Sequence, residues 1–288
     1  MTAPTLKRVC PLTGRDSPTK ILNYSRHPWV LRQCLESGFV YLENPPDYAH
    51  FKEEFAWEVT SQKESETRKA AEPVLYAAST AVKKVRGRLL KRNKILSLSL
   101  PLISRSSEQH SGPIRVVDIG CGWGDLLLQI VSQTPAPIQS RCVPFGIELS
   151  NELARISSEK LAQCGGEKCV NDTAINGVTA FGPDFFDLIV MSSFLEHEIN
   201  PLPLLRLCSI RLRPGGSIII KVPNYGCINR WVRGARWCGF RWPDHVNYFT
   251  PRTLRAFGQL AGLKVARMKF IDRHPLSDNM YAVLCKPK

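Results

Sequence analysis

The sequence predicts an α/β fold on a mostly parallel sheet, and three observations carry that expectation. Strand and helix signals alternate from residue 114 onward. The run Val116-Val117-Asp118-Ile119-Gly120-Cys121-Gly122-Trp123-Gly124-Asp125 ends an apolar strand in a glycine-rich turn that opens a helix. Two further strand signals close the chain, and their short connection requires antiparallel pairing.

The elements follow in order. Residues 114–120 form a short buried strand, 125–133 a helix, 143–149 a second strand and 151–163 a helix. Residues 186–192 are another strand, and 202–212 a helix ended by Pro214-Gly215-Gly216. Residues 217–222 are a strand whose Ile218, Ile219 and Ile220 suit burial on both faces. Thr250 is a plausible N-cap with Pro251 at the first helical position, the helix runs through Ala261, and Gly262 closes it. Residues 265–272 and 281–286 are the closing strands. Upstream, residues 1–60 are irregular, 61–90 have helical spacing with a break at Pro73, and 104–112 read as a polar linker.

Composition narrows the function classes. A chain of 288 residues, 43% hydrophobic and 22% charged, can bury a core of ordinary size. No apolar stretch is long enough to cross a membrane, and residues 1–10 lack the apolar region of a secretory signal. Ten scattered cysteines without C-x-x-C spacing fit reduced thiols in a cytoplasmic setting. The net charge of +14 admits a nucleic acid, an anionic membrane surface or an acidic small molecule as partner. Part of that charge lies in the acid-free run of residues 83–94.

The glycine-rich turn fails the dinucleotide fingerprint, which would need glycine at Asp125 or Leu127, and it lacks the Gly-Lys-Ser/Thr of a triphosphate loop. Glu148, near the end of the second strand, can take both hydroxyls of a ribose. Together, Asp118-Ile119-Gly120-Cys121-Gly122-Trp123-Gly124 and Gly146-Ile147-Glu148-Leu149-Ser150 resemble the class I S-adenosylmethionine-dependent methyltransferases. Phe186–Val190 with Leu195-Glu196-His197, and Leu212–Gly216 with Val222-Pro223-Asn224, match that superfamily in order. The resemblance implies a Rossmann-like, seven-stranded, mostly parallel sheet with helices on both faces, an antiparallel C-terminal edge strand and a small N-terminal appendage. It implies that Asp118, Gly120, Cys121, Gly122 and Gly124 hold the methionine part of S-adenosylmethionine, with Glu148 and Leu149 at the ribose. Asp172 is the implied adenine partner, and Ser192 and Ser193 the floor near the sulfonium.

Two stretches resemble a narrower bacterial subgroup whose N-terminal segment is zinc-ribbon-like. Cys10-Pro11-Leu12-Thr13-Gly14 and Cys34-Leu35-Glu36-Ser37-Gly38-Phe39 keep the first cysteine and the glycine of each half, while Thr13 and Ser37 replace the second cysteine. Structural zinc requires four nitrogen or sulfur ligands, so a ribbon without metal is expected over residues 1–60. Residues 61–112 are then a helical segment and linker, and 113–288 the methyltransferase domain with a lid insertion at 224–250. In that insertion Arg233, Trp237, Arg241 and Trp242 are expected to cap a polar or anionic acceptor.

Methyl transfer is an in-line displacement, and an oxygen or carbon acceptor also needs a base. His245, His197 and Tyr248 are the candidates. The Leu-Glu-His segment also resembles ubiquinone-type O-methyltransferases, in which a nearby second acid can serve a metal; Ser193 stands at that position, so no metal is expected. The acceptor class expected is glycosyl, nucleotide-linked or natural-product small molecules. A nucleic-acid methyltransferase and a non-catalytic partner subunit stay open as alternatives.

Overall fold

The computed structural model describes residues 7–46, 93–167 and 169–288. The helical expectation over residues 61–90 and the basic run up to residue 92 lie outside the described residues.

Seven strands form one sheet: β4 (Ile114–Ile119), β5 (Cys142–Glu148), β6 (Val170–Asn171), β7 (Phe186–Ser192), β8 (Leu212–Pro223), β10 (Lys264–Arg267) and β11 (Asn279–Cys285). Their spatial order is β10-β11-β8-β7-β4-β5-β6. β4, β5, β6, β7 and β8 pair in parallel, and β11 runs antiparallel to both β8 and β10. The order reverses at β4, which has β5 on one side and β7 on the other. That reversal opens a crevice at the carboxyl ends of the strands.

Helices cover both faces. On one face α1 (Lys94–Gln109), α2 (Asp125–Gln133) and α4 (Asn151–Ala162) bury Ile95, Ile103, Leu127, Ile130 and Leu161 against Val116, Leu188 and Ile219. On the other, α5 (Ala174–Thr179), α6 (Pro201–Arg211) and α8 (Pro251–Leu260) bury Val178, Leu205, Leu254 and Phe257 against Ile147, Ile189 and Ile220. The Thr250 cap is present, with its side chain accepting from Thr253 N and Pro251 opening the helix. A short α3 (Ala136–Gln139) precedes β5.

Two expectations are corrected. The polar stretch 104–112 is not a linker, because α1 runs through it to Gln109. Its serines are helix-compatible: Ser99 Oγ donates back to Ile95 O at 2.9 Å and Ser107 Oγ to Ser104 O at 2.7 Å, so burial leaves those hydroxyls paired. The strand expected over 265–272 ends at Arg267, and Phe270–Asp272 is a 3₁₀ turn around the buried Asp272 carboxylate, which accepts from Lys269 N and Arg267 Nε.

The N-terminal segment builds a second sheet from β1 (Thr19–Ile21), β2 (Leu31–Cys34), β3 (Val40–Leu42) and β9 (Asn247–Tyr248), in that order. The fourth strand comes from the insertion, through Val40 opposite Tyr248 and Tyr41 opposite Asn247. Insertion and appendage are therefore one unit. Arg8 locks it down. Its buried guanidinium donates to Leu42 O, Val246 O, Ile199 O and Asn247 Oδ1 at 2.7–3.2 Å. Asn247 Nδ2 in turn donates to Leu195 O and Glu198 O. Arg8→Ala strands several buried acceptors and should lower the unfolding free energy by roughly 3 kcal/mol, read from the denaturant midpoint. Arg8→Lys should recover little, because an ammonium cannot fork between acceptors on separate segments.

Candidate functional site

A cavity of about 420 Å³ occupies the crevice, lined by residues from the ends of β4, β5, β7 and β8 and the turns that follow them. Asp118, the turn Gly120–Trp123, Glu148, Leu149, Asp172 and Ser192 all contribute to it. The turn has this shape because Gly120 and Gly124 adopt left-handed backbone at φ +72° and +76°. A Cβ at Gly120 would come within 2.4 Å of Phe194, and one at Gly124 within 2.7 Å of Ser157 Oγ.

Glu148 ties the turn to the next strand: its carboxylate accepts from Gly122 N at 2.9 Å and Ser150 N at 3.0 Å. Asp172 Oδ1 accepts from Thr173 N and Asn176 Nδ2, which fixes it just beyond β6. Asp118 is only 2% exposed, and its Oδ1 has no hydrogen-bond partner among the described residues. Burial, helped by the neighbouring Cys121 and Glu148, pushes its carboxyl well above the usual range. A cavity wall that ends in an unpartnered carboxylate oxygen is built to receive a donor, and a cationic one above all.

The same cavity is also lined by Ser193, Phe194, His197, Glu198, Lys221 and Asp244. Ser193 takes left-handed backbone at φ 59° and donates its N–H to Lys221 O. His197 Nδ1 lies 2.9 Å from Asp244 O, and His245 Nδ1 lies 2.8 Å from Gly239 O. A carbonyl can only accept, so each Nδ1 carries the hydrogen, and the neutral His197 ring keeps its lone pair on Nε2. The two rings meet edge to face with centroids 4.7 Å apart. Desolvation, reinforced by the charge of Arg241, pushes His197 down to about 3, so it is neutral near pH 7. Burial pushes Glu196 up to about 7.

These shifts have opposite consequences for stability. The unfolded chain protonates His197 below 6.5 while the folded chain does not, so this contribution fades as pH falls from 6.5 toward 3. The folded chain keeps Glu196 protonated where the unfolded chain has lost the proton, so its contribution fades as pH rises from 4.5 to 7. His197→Gln should therefore flatten the acid side of a melting-temperature profile, and Glu196→Gln should gain on the parent as pH rises. Parallel profiles for all three proteins would contradict the assignment.

Glu196, His197 and His245 each offer one ligand atom, all within 4.8 Å of one another, and Glu196 Oε2 is buried without a hydrogen-bond partner among the described residues. The expectation of no metal rested on Ser193 in place of an acid; the insertion brings His245 to the Glu-His pair instead.

The insertion residues correct a larger expectation. Trp237, Trp242, Tyr248, Arg233 and Arg241 do not line this cavity. Trp237 and Tyr248 pack with Leu31, Val40 and Tyr225 in the core shared with the N-terminal sheet, and Trp242 packs against that core, stacked on Phe240. Trp237 Nε1 donates to Asp278 at 2.8 Å. Arg233 is exposed at the end of α7 (Ile228–Arg233), and Arg241 pairs with Asp244 at 3.1 Å, behind the cavity wall. Tyr248 is buried and its phenol is pushed well above its ordinary value, so it offers no proton acceptor at neutral pH. His245 is buried outside the cavity lining and meets the His197 ring edge to face. The cause is the β3–β9 pairing, which turns the aromatic face of the insertion toward the appendage. Sequence reasoning missed Phe194, Glu198, Lys221 and Asp244; the only local signal was their position just beyond β7, at the end of β8 and in the Pro-Asp-His segment.

Residues 89–267 match the family described as "Methyltransferase domain" (Methyltransf_23), more than half of the chain. The chain belongs to this methyltransferase-domain family. Among curated relatives, a ubiquinone biosynthesis O-methyltransferase of Ralstonia nicotianae is 27% identical over 178 residues, 59% of this chain and 72% of that protein. One from Paraburkholderia phymatum is 28% identical over 182 residues, 59% of this chain and 73% of that protein. Among solved structures, the CurJ carbon methyltransferase aligns with a TM-score of 0.50 at 16% identity, over 79% of this chain and 71% of that one, which is a likeness of fold. This methyltransferase is S-adenosylmethionine-dependent, and its cavity fits the cofactor: the unpartnered Asp118 oxygen suits an ammonium group. Among the described residues, no helix is long and apolar enough to cross a membrane.

Proposed function

We propose that this methyltransferase methylates a hydroxyl oxygen of a neutral, polar small molecule held beside His197. The observation that carries the reading is the locked, neutral imidazole of His197 in the lining of the cavity that also holds Asp118. The relatives' names, O-methyltransferases, support oxygen as the acceptor atom. The cofactor supplies an electrophilic methyl group on a sulfonium. Asp118 and the Gly120–Gly124 backbone would hold its amino-acid end, Glu148 the ribose, Asp172 the adenine, and Ser192 and Ser193 would lie near the sulfur. His197 Nε2 would accept the acceptor's O–H and hold that oxygen in place for the transfer. As the acceptor oxygen took the methyl group and the thioether left with the electron pair of the broken methyl–sulfur bond, that oxygen would become strongly acidic and Nε2 would receive its proton, so even a weakly basic imidazole would suffice.

The acceptor is neutral in this reading because the insertion arginines stand outside the cavity, while Glu198 and Asp244 line its acceptor end with Lys221. Incubation with methyl-labelled S-adenosylmethionine and a panel of phenolic, catecholic and glycosyl alcohols should give O-methyl products by NMR. A C-methyl product, or a preference for phosphorylated acceptors, would overturn the reading.

We also infer that the N-terminal unit is a ribbon that holds its shape without metal. Its two turns match: Gly14 N donates to Cys10 O at 2.8 Å and Gly38 N to Cys34 O at 2.9 Å, with both glycines at left-handed φ. Cys10 Sγ lies 3.4 Å from Ser37 Oγ, and Ser37 N donates to Cys34 Sγ. A hydroxyl thus bonds where a thiolate would ligate. The Thr13→Cys/Ser37→Cys double variant should bind one zinc ion per chain, measured by metal analysis after dialysis. Failure of the variant to take zinc would contradict the ribbon assignment.

A further inference from the structure

Helix α7 is inside out. Its i, i+3 and i+4 positions, Ile228, Trp231 and Val232, make one apolar face, yet they are 44%, 71% and 78% exposed. The charged Arg230 is buried instead, its Nε bonded to Tyr225 O and its guanidinium held between the Tyr225 and Trp231 rings. The helix is docked to the segment before β11: Ile228 N donates to Pro275 O at 2.7 Å and Asn229 Nδ2 to Leu276 O at 3.4 Å. That segment adds its own exposed apolar side chains, Phe270 at 62%, Ile271 at 65% and Leu276 at 61%. Six large apolar side chains in two adjoining segments exceed what scattered surface hydrophobics account for.

Charge identifies the occupant. Arg233, Arg236, Lys269 and Arg273 are exposed in the same two segments. The acid within them, Asp272, is buried and engaged by Lys94 and Arg267. The nearby Asp278 is taken by Trp237 and Asn229. An apolar face with an indole, rimmed by arginine and lysine and, among the described residues of these two segments, free of exposed acid, matches the boundary of an anionic bilayer, where the apolar groups enter the acyl edge and the cations meet phosphate headgroups.

We propose that this methyltransferase docks reversibly on anionic membrane surfaces through α7 and the 269–276 segment. The full-length protein should sediment with vesicles of phosphatidylcholine containing 30% phosphatidylglycerol in about 0.1 M salt, much less with pure phosphatidylcholine, and progressively less as salt rises. Trp231→Ser/Val232→Ser should weaken binding at least tenfold, and Arg233→Gln/Arg236→Gln should weaken it and flatten the salt dependence. S-adenosylmethionine affinity should stay unchanged in both, which reports an intact fold. Three results would overturn the proposal: no vesicle binding by the parent, equal binding to neutral vesicles, or full binding by the Trp231/Val232 variant, which would place attachment at the basic run instead. A dimer in light scattering that the same variant dissociates would also overturn it, by assigning the face to a second copy.

Discussion

Asp118→Asn should weaken S-adenosylmethionine binding by roughly a hundredfold or more while leaving the fold in place. The estimate follows from the cost of removing one partner of a buried charge pair, about 3 kcal/mol or above. Asparagine keeps the shape, and the parent carboxylate is itself an expense to the folded chain, since burial pushes it well above its usual range. The variant should therefore melt at or above the parent temperature without cofactor and gain far less on cofactor addition. Titration calorimetry and a thermal-shift series read both quantities. Unchanged affinity would remove Asp118 from the cofactor site. Glu148→Ala should cost less in affinity but loosen the turn, because the Gly122 and Ser150 N–H groups lose their acceptor.

The second large effect falls on turnover. His197→Ala should lower kcat by ~10²–10⁴ with cofactor affinity within a few fold of the parent. His197→Gln should recover part of kcat, because its amide oxygen can accept the acceptor's hydroxyl hydrogen bond but cannot take the proton. The parent's kcat should show no acid limb from His197 between pH 5 and 8, since desolvation holds that imidazole neutral throughout. Equal kcat in the parent and His197→Ala would reduce His197 to a wall of the cavity.

What was legible in the sequence was local. The run Val116–Asp125 reads as strand, turn and helix because an apolar strand must end where three glycines permit left-handed backbone, and the structure has that turn. Glu148 was legible because it lies at a strand tip next to the turn. The insertion reads as a cap over the acceptor because alternating arginine and tryptophan, considered alone, suit a polar or anionic ligand. Their orientation is set by Val40–Tyr41 pairing with Asn247–Tyr248, a contact between distant parts of the chain that leaves no periodic trace. Arg8 shows the same blindness: a lone basic residue near the N-terminus becomes the bolt between appendage, insertion and the loop after β7. Serines 104, 106 and 107 read as linker because composition cannot foresee that α1 runs on through them, with the Ser107 hydroxyl bonded back to Ser104 O.

The central claim is that one cavity holds the cofactor from Asp118 to Ser192 and presents its methyl group toward His197. A crystal structure with S-adenosylhomocysteine tests it most directly. The account requires the amino group on Asp118, the ribose on Glu148, and the sulfur beside Ser192 and Ser193 with His197 beyond it. A ligand seated elsewhere, or reversed so that its adenine lies against His197, would contradict it.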